Sequence, residues 1–319
     1  MRANLLHVAI AVSNFAVPAV LAQQPTCQSV LLITALNQKT SEPVDGLTAD
    51  DLLAKLKGHD LPIHSLSPAP INRRVVFVLD RSGSMTPTDH TWGQPYDPNQ
   101  LVKQALSDAL SEIPSGDKVA FRAFTGPSST QTDFMNPTAA RAKATEMLAW
   151  EPNARKEGRR TPLWDNIDAA LRMLNPHQPG DVLVVVTDGQ DNISRLQRGH
   201  VQEELLEIRV PVLAILATNP YAPTPEERAE PKDLLDLAEE SGGAASPLGT
   251  AWRNVDYGTD SPLSPSQLVS QLAHQYELDL VIPPIQRFEK WNLRLKSKEN
   301  EEKLELLYPR YFSPCAATQ

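Results

Sequence analysis

The apolar positions of this chain fall into two kinds of run. Val75–Leu79, the "VAFRAF" of 119–124, the "VLVVV" of 182–186 and the "VPVLAIL" of 210–216 are nearly continuous in Val, Ile, Leu and Phe. Strands buried on both faces read this way. Between them lie segments with apolar residues at helical spacing: 99–113 (Leu101, Ala105, Ala109, Ile113), 136–150, 161–174, 201–208, 230–243 and 264–276. Asn136 before Pro137 and Thr161 before Pro162 mark helix starts, and Gly242–Gly243 a stop. Gly126–Pro127 turns the chain, and 130–134 can pair back as a short edge strand. The alternation predicts an α/β fold with a doubly wound, mainly parallel sheet covered by helices on both faces.

The two ends of the chain differ in pattern. Residues 276–283, 290–297 and 302–312 alternate in strand fashion, and 29–36 is a short apolar run. Together they predict a small β-rich unit assembled from both ends. The stretch "LTADDLLAKL" (47–56) predicts a helix capped by Thr48, and the proline-rich 61–73 an extended linker. The expected organisation is a signal peptide at 1–22, an N-terminal β-rich segment and linker at 23–71, an α/β domain at 72–275, and a C-terminal β-rich segment at 276–319 packing on the N-terminal one. Arg2, the apolar 5–20 and the small residues before a cut after Ala22 carry the signal reading, the alternative being an uncleaved anchor. No second apolar run of membrane length follows, so no transmembrane segment is expected in the mature chain.

Charge and cysteine content narrow the function. A formal charge of -9 argues against nucleic acid, whose partners carry basic surfaces. The only cysteines, Cys27 and Cys315, sit just inside the two mature ends. In an exported protein they are most simply one disulfide, with two unpaired thiols as the alternative. A periplasmic or extracellular location follows.

Candidate chemistry gathers at strand ends. Ligands of open parallel sheets bind outside the carboxyl ends of the strands, where the strand order reverses. Asp80 ends the first strand of the α/β unit and Asp188 the fourth; in the order 3-2-1-4-5-6 these strands are neighbours. Ser82 and Ser84 follow Asp80, and Thr161 opens the helix before strand four. Two carboxylates and three hydroxyls form an all-oxygen set suited to a hard cation, Mg2+ first, with Mn2+ or Ca2+ as alternatives. Neutral hydroxyls leave such an ion Lewis-acidic, with room for a carboxylate from another molecule.

These residues carry a resemblance. "DRSGSM" (80–85) resembles the Asp-x-Ser-x-Ser element of the metal-ion-dependent adhesion site of von Willebrand factor type A domains; "RRTPLWDNIDAAL" and "VVVTDGQDN" resemble the segments carrying its threonine and second aspartate. The likeness covers roughly 72–255, and its flanks resemble the exported bacterial VWFA-related acidobacterial domain group. It implies metal-dependent adhesion or recognition of a protein partner offering Asp or Glu. Arg160 stands where many relatives carry glycine. The alternatives are an extracytoplasmic scaffold with a structural or vacant metal site, or an aspartate-dependent hydrolase. The last lacks its usual second acid, since Ser82 occupies that place, and no Gly-x-Ser-x-Gly elbow is present. The expectation is therefore a protein that is not an enzyme. The seven histidines show no paired zinc spacing; Asp191 reads as a turn or supporting group, Trp164 as core, and Trp92 as the candidate for partner contact.

Overall fold

The computed structural model describes residues 26–69, 72–85, 88–91, 94–96, 98–149, 160–217, 225–248, 263–301 and 303–316. Trp92 and the expected signal segment 1–22 lie outside them. In chain order the strands are β1 (Cys27–Asn37), β2 (Leu52–Leu56), β3 (His59–Leu61), β4 (Ile63–Pro68) and β5 (Arg74–Asp80), then a small hairpin of β6 (Thr88–Thr91) and β7 (Gln94–Tyr96). Helix α1 (Pro98–Ser111), β8 (Lys118–Thr125), β9 (Ser128–Gln131), α2 (Pro137–Ala149), α3 (Leu163–Met173), β10 (Val182–Thr187), α4 (Arg198–Ile208), β11 (Val212–Leu216), α5 (Pro225–Glu240), β12 (Ala244–Pro247) and α6 (Pro265–Ser270) build the α/β unit. β13 (Tyr276–Ile282), β14 (Glu289–Leu295), β15 (Leu304–Leu307) and β16 (Tyr311–Phe312) return to the β-rich unit.

The central sheet runs β12-β11-β10-β5-β8-β9, which is 6-5-4-1-2-3 in the unit's own count. All pairs are parallel except β8–β9. β5 explains the continuous apolar run. Val75, Phe77 and Leu79 face the core beneath α1, α2 and α6, while Val76 and Val78 face the other core beneath α3, α4 and α5. Every residue of the run is buried because each face has its own helices. Trp164 is buried in the second of these cores.

The chain ends form two four-stranded antiparallel sheets, β15-β1-β13-β4 and β16-β14-β2-β3, around a shared core. Trp291 anchors it, stacking on Phe312 and meeting Tyr308 edge-on. A disulfide joins Cys27 to Cys315, with Cα atoms 6.4 Å apart. The unit seats against the α/β unit: Arg209 Nη1 donates to the Val30 carbonyl (3.0 Å), and the Arg310 amide to that of Glu240 (2.9 Å).

Two expectations fail here. The helix over 47–56 is one 3-10 turn, Ala49–Asp51, followed by a strand. The Thr48 signal is real, since the Thr48 amide and hydroxyl both donate to Asp51 Oδ2, but it serves a single turn. Leu52, Ala54 and Leu56 then alternate inward and pair with β14, so burial on a sheet overrides helical propensity. The linker over 61–73 is mostly strand. Lys57 and Gly58, both at positive φ (50° and 84°), form a two-residue turn that folds β3 back on β2, and β4 pairs with β13.

Candidate metal centre

Asp80 and Asp188 meet because their strands are neighbours. β5 and β10 pair in register, Leu79 opposite Val186, so Thr187 arrives level with Asp80. Thr187 Oγ1 donates to Asp80 Oδ2 (2.6 Å), and the Ser82 amide donates to Asp80 Oδ1 (2.8 Å). The chain then tightens into the 3-10 turn Gly83–Met85, which sets Ser82 Oγ 3.1 Å from Ser84 Oγ. Asp80 is 3 % exposed, Ser82 and Thr161 1 %, and Asp188 9 %. Burial, and then the charge of Asp188, push the Asp80 carboxyl up to about 7 against the pull of the Thr187 and Ser82 hydrogen bonds.

Thr161 is held from the other side. Its amide donates to Asn192 Oδ1 (2.9 Å) and its carbonyl accepts from the Asn192 amide (3.1 Å). α3 takes no side-chain cap from its own N-cap residue, Pro162; Asp191 Oδ1 accepts the Leu163 amide instead (2.8 Å). Ser194 also donates to Asp191, and Asp165 accepts the amides of Arg195 and Leu196. Burial raises the Asp191 carboxyl, opposed by Ser194 and by the Leu163 and Trp164 amides. The loop after β10 is thus stitched to the start of α3, linking Thr161 to the segment that carries Asp188. Gly189 (φ 92°) makes the exit turn; a Cβ there would lie 2.8 Å from Pro231 Cα. Asp191 is the supporting group the sequence suggests. Thr187 and Asn192 were not singled out: a threonine at a strand end reads as a β-former, and Asn192 reads as a turn.

The structure therefore brings Asp80, Ser82, Ser84, Thr161 and Asp188 to one end of the sheet through a chain of local bonds and one charge contact. The von Willebrand factor type A domain model matches residues 75–245, more than half of the chain. This chain belongs to the von Willebrand factor type A domain family. Among solved structures it is similar to the von Willebrand factor type A protein from Catenulispora acidiphila (11% identity, 90% of this chain and 72% of that one, TM-score 0.44). It is also similar to the aerotolerance-related membrane protein from Bacteroides fragilis (16% identity, 57% and 94%, TM-score 0.42) and the PilB minor pilin from Streptococcus sanguinis (13%, 76% and 87%, TM-score 0.43). Identities this low carry no function across. No curated protein matches the sequence.

The donor chemistry of this type A domain fits a divalent cation. Two buried acids lie side by side, the charge of Asp188 raising the proton affinity of Asp80, and all five side chains offer oxygen. Removing the supporting bonds should weaken such a site without touching a donor. Thr187→Val and Asn192→Ala are each expected to lower Mg2+ affinity about tenfold, the effect of losing one hydrogen bond to a charged or positioned group. Calorimetric titration of the folded variants measures it; affinities equal to wild type would show the two residues idle.

Proposed function

We propose that the protein is exported and that its type A domain recognises a protein partner through a divalent cation, Mg2+ first, held by Asp80, Ser82, Ser84, Thr161 and Asp188. The cation supplies a Lewis-acidic position that accepts a carboxylate. The residues do the rest. Asp80 and Asp188 provide the negative charge, the three hydroxyls fill positions without cancelling the ion's charge, and the Asn192–Thr161 stitch fixes one hydroxyl relative to the acids. The observation that carries the reading is the buried Asp80 carboxylate, held by Thr187 and the Ser82 amide beside Asp188. The role is binding rather than catalysis. The disulfide supports an oxidising compartment, periplasmic or extracellular. Among the described residues no helix is long and apolar enough to cross a membrane.

Capture from the host's envelope fraction tests it. A partner retained with Mg2+ should be released by EDTA and lost with Asp80→Ala, and Ser84→Ala or Thr161→Ala should weaken retention with the fold intact. Retention that survives both chelator and Asp80→Ala would replace this reading with the scaffold alternative.

A further inference from the structure

The structure assigns a second cation site, apart from the one above and independent of it, to Asp168, His200 and Glu204, taking a first-row transition ion of the Zn2+ class. Asp168 projects from α3, and His200 and Glu204 from α4, against which α3 packs. His200 and Glu204 stand four residues apart, so one helix face presents both. One ligand atom from each of the three lies within 4.8 Å of the other two. An ion bound at about 2.0–2.2 Å needs its donors somewhat closer than that. The missing distance falls to the two side chains able to supply it. His200 is exposed and Glu204 half-buried, whereas Asp168 is buried and its carboxylate is clamped by Arg172 Nη2 (2.8 and 3.1 Å). One ligand is fixed and two are adjustable.

A second feature points to a cation rather than to a crowded surface. The Glu204 carboxyl faces the Asp168 carboxylate, and Arg172 engages Asp168. Two carboxyls this close call for a shared proton or positive charge; Arg172 meets Asp168 alone, and an ion bound with His200 would meet both. The imidazole decides the class: nitrogen with two carboxylate oxygens suits zinc-like ions, whereas Mg2+ and Ca2+ take all-oxygen sets. Three protein donors leave a fourth position open to solvent. The sequence conceals the site because Asp168 lies far from the His200–Glu204 pair along the chain and reaches it only through helix packing.

Chelator-stripped, disulfide-intact protein titrated with Zn2+ in excess Mg2+ tests the assignment. One zinc equivalent is expected, with Mg2+ unable to displace it. His200→Ala and Glu204→Gln should each weaken it at least about tenfold. Asp80→Ala should leave it unchanged, which separates this site from the one proposed above. His200 is exposed, so its variant folds, and Glu204→Gln, which removes one charge of the facing pair, should melt no lower than wild type without metal. No zinc uptake in excess Mg2+, uptake undiminished in His200→Ala, or uptake lost in Asp80→Ala overturns the assignment.

Discussion

Adding Mg2+ to metal-free protein should raise its melting temperature, and Asp80→Asn should abolish the response. The proposed cation would bind the folded state alone, because its five donors come from three separate stretches of chain that meet only at the mouth of the sheet. At a hundred times the dissociation constant such binding stabilises by about 2.7 kcal/mol. For a unit of this size that is roughly 5–10 °C. The sign of the variant's own stability sharpens the test. Without metal, Asp80 is a buried carboxyl beside Asp188, an arrangement that disfavours its charged form. Asparagine removes that repulsion. Its carbonyl oxygen accepts from the Ser82 amide, and the Thr187 hydroxyl turns to accept from the new amide. Metal-free Asp80→Asn should therefore melt at or above metal-free wild type, yet stay unmoved by Mg2+. Differential scanning calorimetry of both proteins, with and without millimolar Mg2+, gives the answer. A wild-type curve that Mg2+ does not shift, or a variant that responds equally, removes the cation from the proposed role.

The pairing of Asp80 with Asp188 was legible because it depends on topology alone. Continuous apolar runs fix strands buried on both faces, the alternation with helices fixes a doubly wound sheet, and such a sheet makes its first and fourth strands neighbours. Side chains at the ends of both must then meet. The supporting groups were hidden for a different reason. Thr187 matters only because register sets it level with Asp80, and register is a property of two strands together. Asn192 matters because its loop returns to Thr161, a contact 31 positions back along the chain. The misread stretch at 47–56 is local in origin. Thr48, two acids and spaced leucines satisfy every helix rule, but Leu52, Ala54 and Leu56 also alternate. Only the partner strand at 289–295 selects between the two patterns.

Reducing the Cys27–Cys315 disulfide should lower the melting temperature by roughly 5–10 °C, with the Mg2+ response kept. The bridge spans a sequence separation of 288, and a cross-link over so long a loop restricts the unfolded chain heavily, by roughly 6 kcal/mol in the chain-entropy limit. The expected effect is nearer 2–4 kcal/mol, because unfolded chains are already compact. Its local consequence follows from where the two cysteines sit. Cys27 begins β1 opposite Ile282, and Cys315 exchanges amide hydrogen bonds with Ile285. The bridge therefore pins the last turn of chain onto the start of β1, at the edge of the core that holds Trp291. Losing it loosens the β-rich unit first, while Asp80 and its neighbours rest on a sheet whose two cores contain neither cysteine. Melting curves with and without reductant measure the shift, and the Cys27→Ser/Cys315→Ser double variant should match reduced wild type and ignore reductant. A wild-type curve indifferent to reductant would show that the paired strands alone hold the two chain ends together.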